Sequence, residues 1–180
     1  RFRRPHLPFS APAKYWDMQN ASAISAPENP LPPSDVPEMA LHNWTELRGY
    51  SDIPEVGDLS SDQTAHLRHG YYAATTYMDA QVGRVLDALD ATGKADETII
   101  VLWGDHGWHL GEHGLWCKTT NFELDTRAPL LISTPGHRGG QTTQSLVEFV
   151  DIYPTLVDLC GLPHPEDLAG ISLRPDRKST

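Results

Sequence analysis

Two cysteines, Cys117 and Cys160, are too few for a disulfide framework, so cysteine usage leaves the redox compartment open. No run of about 18 consecutive apolar residues occurs, and nothing in the sequence reads as a membrane span. Positive charge is also scarce. Fourteen Lys and Arg stand against 24 Asp and Glu, a formal charge of −10. That balance argues against a general nucleic-acid binder or a binder of anionic membranes, which needs a basic face. It leaves room for a small anionic substrate, because a local metal and a few cations can reverse the field inside one pocket. The start, Arg1-Phe2-Arg3-Arg4-Pro5, is basic but has no apolar run behind it, and does not read as a secretory signal. Internal repeats are absent, and 180 residues suffice for one domain with a real core.

Proline is plentiful over residues 1–60, with Pro5, Pro8, Pro12, Pro27, Pro30, Pro32, Pro33, Pro37 and Pro54. Proline removes a backbone donor and restricts its predecessor, so long helices and central strands are not expected there. The aromatics Phe9, Tyr15, Trp16, Trp44 and Tyr50 are more than a solvated linker needs, which favours an ordered, irregular segment wrapped on a larger body. From Asp62 to Thr92 the pattern changes. Leu67, Tyr71, Ala74, Met78, Val82, Val85 and Leu89 recur at helical spacing, with Ser60, Ser61 or Asp62 as the cap and Gly93 as the stop. Residues 99–103 read as a buried strand and 128–133 as a second strand. Residues 150–160 read as a helix capped by Asp151 and stopped by Gly161. Helix, strand, loop, strand and helix over 61–180 predict an α/β fold with a mixed or mostly parallel sheet flanked by helices.

The chemistry concentrates in Thr98–Lys118, TIIVLWGDHGWHLGEHGLWCK. The apolar run stops at Gly104 and Asp105-His106 follows, at the carboxyl end of a strand where α/β sheets present ligand groups. A carboxylate beside an imidazole on a glycine-rich loop is suited to a metal; a strand-end turn or a structural histidine would look the same in sequence. Lys118 is thirteen residues further on, a compact charge fit for an anionic oxygen near a metal, although taken alone it reads as a solvated surface group.

A second motif overlaps the first. His109-Leu110-Gly111-Glu112-His113 has the H-x-x-E-H pattern of a zinc protease family, whose chemistry needs both histidines on one helix face. Gly107, Gly111 and Gly114 argue against that helix, each costing roughly 1 kcal/mol relative to alanine in a helix interior. His113 and Glu112 then become substrate-facing, supporting or plain loop residues. His6 stands between Pro5 and Pro8 on stiffened backbone, as a general acid, an anion donor or a packed loop histidine. Arg127, just before the second strand, fits an anion contact or an ordinary surface charge. His42, His66, His69, His137 and His164 form no constellation, and both cysteines default to buried thiols.

Taken together, the run WGDHGWHLGEHGLWCKTTNFELDTRAPLLISTPG resembles sulfatases of the iduronate-2-sulfatase type, within the alkaline-phosphatase-like superfamily. RPHLPF, YYAATTYMDAQVGRVLDAL and LVEFVDIYPTLVDLCGL match further segments in the same order, from about residue 3 to 173 and weakly between 12 and 60. The resemblance implies a partial sulfatase domain over 1–180 that hydrolyses sulfate esters of a small molecule or carbohydrate with calcium. Asp105 and His106 match the family's late pair of calcium ligands. Lys118 matches the lysine on the sulfate and leaving-group oxygen, and His6 an active-site histidine; His113 and Arg127 would address substrate. The family nucleophile is formylglycine, made from cysteine in C-x-P-S/T-x-R. Neither Cys117 nor Cys160 lies in that motif, and the family's early paired aspartates have no match. The expectation is a central to late segment holding half a site and inactive alone. Related sulfatases are secreted, periplasmic or lysosomal, which leaves the compartment open. A phosphate or phosphonate ester hydrolase of the same superfamily and a non-catalytic binding remnant are the alternatives.

Overall fold

The computed structural model describes residues 2–137 and 139–174. The chain divides into two compact units, Arg1–His137 and Arg138–Thr180.

In the first unit the proline-rich stretch holds only short turns, the one-turn helices α1 (Ala13–Asp17) and α2 (Thr45–Arg48) among them. It is pinned along α3 (Ser61–Ala91), a 31-residue helix of about 46 Å. Trp16 stacks on His69 at 4.2 Å, Tyr15 meets Tyr77 at 5.2 Å, and Gln19 donates to Thr76 Oγ1 at 2.8 Å. Helix α3 starts where the sequence places it, because Ser60 and Gln63 close a reciprocal capping box. Gly93, at φ 68°, follows its end. The apolar stripe is covered through Ala73 and Ala74, but Val85 and Leu86 further along are exposed.

Strand β1 (Ile100–Trp103) runs antiparallel to β4 (Leu130–Ser133), with Ile100 opposite Ser133 and Trp103 opposite Leu130. Between them a short ladder forms from β2 (His109–Leu110) and β3 (Trp116–Cys117), also antiparallel. The α/β class stands, but the described strands pair antiparallel rather than in the mixed or mostly parallel manner predicted. Parallel pairing needs a crossover, usually helical. Residues 104–129 instead hold a small ladder and the one-turn helix α4 (Glu123–Thr126), so the chain re-enters beside the end it left. The predicted burial of the 99–103 run is corrected too. In a two-stranded ladder β1 is half-buried, and Trp103 keeps 52% of its surface.

The core of this unit lies under the loop rather than under β1. Leu7, Trp44, Leu47, Ile53, Leu110, Leu115, Trp116 and Cys117 cluster there, with Phe9, Tyr71, Trp108 and Phe122 packed against them. The glycines of the 104–118 loop are required by close approach and by handedness. A Cβ on Gly107 would lie 1.9 Å from the Leu124 carbonyl oxygen, and Gly111 has φ 102°.

The second unit contains α5 (Ile152–Leu159), entered through a tight turn at Phe149–Asp151 and followed by Gly161 at φ 64°. Asp151 is the pin. Its carboxylate accepts from the Glu148 and Ile171 amides, each at 2.9 Å, and its carbonyl accepts from Thr155 Oγ1 at 2.6 Å. Asp158 accepts from Ser172 and Arg174, which stitches the following chain along the helix. Those bonds hold the Asp158 carboxyl below its ordinary range. Cys160, expected buried, is exposed because it falls one residue past the last turn.

Candidate active site

His6 comes from a loop with cis bonds before Pro5 and Pro8, its backbone fixed by His6 N–H to Arg3 O and by Arg4 on the His6 carbonyl. Its Nδ1 lies 3.0 Å from the Leu7 carbonyl oxygen, which can only accept, so Nδ1 carries the proton there and Nε2 faces the site. Lys118 follows β3 directly. Its Nζ reaches His6 Nε2 at 3.2 Å across 112 residues of sequence.

Glu46, from α2, completes the triangle: Oε1 is 2.9 Å from His6 Nε2 and Oε2 is 2.5 Å from Lys118 Nζ. Helix α2 is one turn long, yet it is firmly held. Leu47 is fully buried, and Arg48 lies 3.6 Å over the Trp44 ring while donating to the carbonyls of Asn43, Pro54 and Gly57. Trp44 itself takes a left-handed φ of 49° to start the turn.

Trp108 joins these groups to the Asp105-His106 pair. Lys118 Nζ lies 4.8 Å from its ring, His6 5.6 Å and His106 5.7 Å. Phe9 and Tyr71 back it from the core side, where burial raises the Tyr71 phenol above its ordinary pKa. His106 Nδ1 bonds the Gly107 carbonyl at 2.7 Å, which leaves the Nε2 lone pair outward, 3.7 Å from Asp105 Oδ1. That tautomer and that separation suit two donors of one cation. Calcium takes six to eight ligands, mostly oxygen, and among the described residues no third His, Cys, Asp or Glu completes a cluster with these two.

The H-x-x-E-H residues are occupied otherwise. They span β2 and a tight turn in which His113 has φ 58°, not a helix face. His109 is fully buried with Nδ1 on Asp125 at 2.7 Å, and Asp125 also accepts from the amide and hydroxyl of Thr120. Glu112 accepts from buried Arg68 at 2.9 Å and from the Leu110 amide at 2.7 Å. Burial alone would raise the Glu112 carboxyl, but the backbone amides and Arg68 outweigh it and hold the group below its ordinary range. His113 packs on Phe122 at 4.8 Å, and Arg127 is exposed, 3.9 Å from Glu123. Neither reaches the Lys118 triangle by any described bond.

Sequence reasoning missed Glu46, Trp108 and Asp125 as functional neighbours, and missed that His42 approaches His109 and Asp125. His42 Nδ1 accepts the Trp44 amide at 2.9 Å, and its pKa is lowered, chiefly by burial. Only Trp108 carried a local signal, as the aromatic two residues after His106. Cys117 is buried, and desolvation with the nearby Glu46 charge pushes its thiol up to about 12. It is inert rather than nucleophilic.

The fold and this loop place the chain in the alkaline-phosphatase-like class of α/β proteins. The solved phosphonate monoester hydrolase of Silicibacter pomeroyi superposes with a TM-score of 0.78 at 33% identity, over 96% of this chain and 35% of that one. A structure described as a complex with its substrate D-glucosamine-2-N,6-O-disulfate matches with a TM-score of 0.62 at 35% identity, over 66% of this chain and 24% of that one. The iduronate 2-sulfatase of Mus musculus is 33% identical over 91% of this chain and 35% of its own length. The sulfatase family profile covers residues 2–162, and the chain belongs to the sulfatase family. It spans about a third of the length of the curated relatives it matches.

Proposed function

We propose that this chain supplies the anion-binding and leaving-group side of a calcium-dependent sulfate ester hydrolase, with a sulfated carbohydrate as substrate. The observation that carries the reading is the meeting of Lys118 Nζ and His6 Nε2 at 3.2 Å beside Trp108. Lys118 is a point charge for a sulfate oxygen and for the oxygen of the departing alcohol. His6 would address the same oxygens as a donor when Nε2 carries a proton as well as Nδ1, its ring oriented through Nδ1 on the Leu7 carbonyl. Asp105 and His106 are the metal donors, and calcium bound there would withdraw charge from the sulfate oxygens. Arg127, on the surface, addresses an outer part of the substrate, and His113 supports the loop from behind. The nucleophile is neither Cys117 nor Cys160. The carbohydrate assignment leans on the disulfated glucosamine bound by one structural relative and on the iduronate 2-sulfatases among the curated ones.

The likeness to a phosphonate monoester hydrolase supports a second reading, in which the ester is a phosphonate or phosphate and the same residues act. Turnover of aryl and sugar sulfates, against aryl phosphonates, by the protein carrying these residues separates the two. Asp105→Ala is expected to lower sulfate ester turnover at least a hundredfold and to weaken calcium binding by calorimetry. Unchanged turnover in that variant refutes the assignment.

A further inference from the structure

A carboxylate at the centre of an anion site calls for a reason. Glu46 touches both groups that the proposed function gives to the sulfate, one oxygen on each. It cannot be dismissed as a passing surface contact, because the helix turn that carries it is anchored by Leu47 and by the three carbonyls and one indole that hold Arg48. Its backbone is therefore a permanent part of the site, and its charge offsets that of Lys118. The nearest charged or titratable groups are Lys118 and His6, with the Cys117 thiol behind them held protonated by burial.

We propose that Glu46 is a specificity-determining residue that makes the site prefer a singly charged ester anion to a doubly charged one. The inference rests on Lys118 and His6 being the anion contacts. Coulomb repulsion from one carboxylate scales with the charge of the bound anion, so a dianion meets twice the penalty of a monoanion in the same place. The attraction of Lys118 scales the same way, and Glu46 cancels most of what a second negative charge would otherwise gain. A sulfate monoester or phosphonate monoester carries one charge, and a phosphate monoester carries two above its second ionisation near pH 6. The carboxylate thus filters by charge where size and shape are nearly the same.

The test measures affinities of the 180-residue chain for methyl sulfate and for methyl phosphate at pH 8, by calorimetry in calcium-containing buffer. Glu46→Gln keeps the shape and removes the charge. It is expected to tighten methyl phosphate at least tenfold more than methyl sulfate, while Glu46→Asp, which keeps the charge, stays near the parent ratio. An unchanged ratio in Glu46→Gln, or equal weakening of both anions, overturns the proposal and leaves Glu46 as a strut for its two neighbours. Lys118→Ala separates the two levels of inference. If it loses methyl sulfate binding while Glu46→Gln leaves the ratio unchanged, only the charge filter fails. If it binds methyl sulfate as the parent does, or if the parent binds neither anion, the anion-site reading fails and takes the filter with it.

Discussion

Replacing Glu112 by alanine removes the partner of a guanidinium that has almost no access to water. Arg68 is 6% exposed, and its Nη1 bonds both Glu112 Oε1 and the Leu110 carbonyl at 2.9 Å. Breaking a buried ion pair by deleting one side costs about 3–5 kcal/mol, mostly because the remaining charge is left uncompensated. Two features move the value within that range. The Glu112 side chain keeps 22% of its surface, so water can partly replace it, which favours the lower end. The Leu110 amide, however, loses its acceptor at 2.7 Å, a further cost of about 1 kcal/mol. The expected loss is about 3–4 kcal/mol. With a urea slope of about 2 kcal/mol/M, the unfolding midpoint moves down by about 1.5–2 M. Glu112 has its carboxyl held below the ordinary value of 4.5, so the stability it contributes is complete above that pH and is lost as pH falls through the lowered folded value. The gap between parent and Glu112→Ala is therefore full at pH 7 and closes in acid, below the ordinary value of 4.5, as pH falls through the lowered folded value. Arg68→Met with Glu112→Met should recover part of the loss, because neither charge is then stranded, while the Leu110 amide and carbonyl stay without their side-chain partners. A midpoint shift under about 0.3 M at pH 7 refutes the reasoning, and so does a gap that widens in acid.

Two other outcomes are expected. Asp125→Ala strips buried His109 and the Thr120 amide of their acceptor and should cost about 2–4 kcal/mol in thermal or urea unfolding; a cost below about 0.5 kcal/mol would mean the Asp125 contacts do not hold the loop. Cys160 should react with a thiol reagent at pH 8 within minutes while Cys117, its thiol pushed up to about 12, stays protonated and unmodified until the protein unfolds; mass spectrometry of the labelled peptides reads the difference, and early labelling of Cys117 would contradict it.

What could be read from the sequence divides along sequence distance. Helix α3 was legible to within a residue or two at each end because its signals are local: a periodic apolar face, a capping box closed by Ser60 and Gln63, and Gly93 at the stop. The strands at 100–103 and 130–133 were legible as apolar runs, but their direction was not, because pairing depends on the path of the 26 residues between them. Strands β2 and β3, two residues each, are too short to carry any period. Site residues followed the same divide. Lys118 and His6 each had a local reading as an anion group beside a plainer one, but that they meet had no signal, since 112 residues separate them. Glu46 had no signal at all: it sits on a one-turn helix in a proline-rich stretch, 72 residues from Lys118.

The two overlapping motifs of the glycine-rich loop are separated by the path of the chain through the β2–β3 ladder. His109 and Cys117 are directly opposed across the β2–β3 ladder, and both are buried, as are Leu110 and Trp116 in the next pair. Trp108 and Lys118 are each one residue outside that pair, and Cys117 turns the chain out of the ladder with a left-handed φ of 71°. The residue after Cys117 is thereby delivered to the same side as the residue before His109, and the Lys118 ammonium rests 4.8 Å from the Trp108 ring. A protease-like reading needs His109 and His113 on an open helix face. The ladder instead turns His109 inward onto Asp125, ties Glu112 to Arg68, and uses them as the footing on which Trp108 and Lys118 stand. The glycines that weaken a helix here are the ones that let the loop fold this tightly, with Gly107 against the Leu124 carbonyl and Gly111 in a left-handed turn. One loop composition therefore argues against the zinc motif and allows the tight path that brings Lys118 to Trp108.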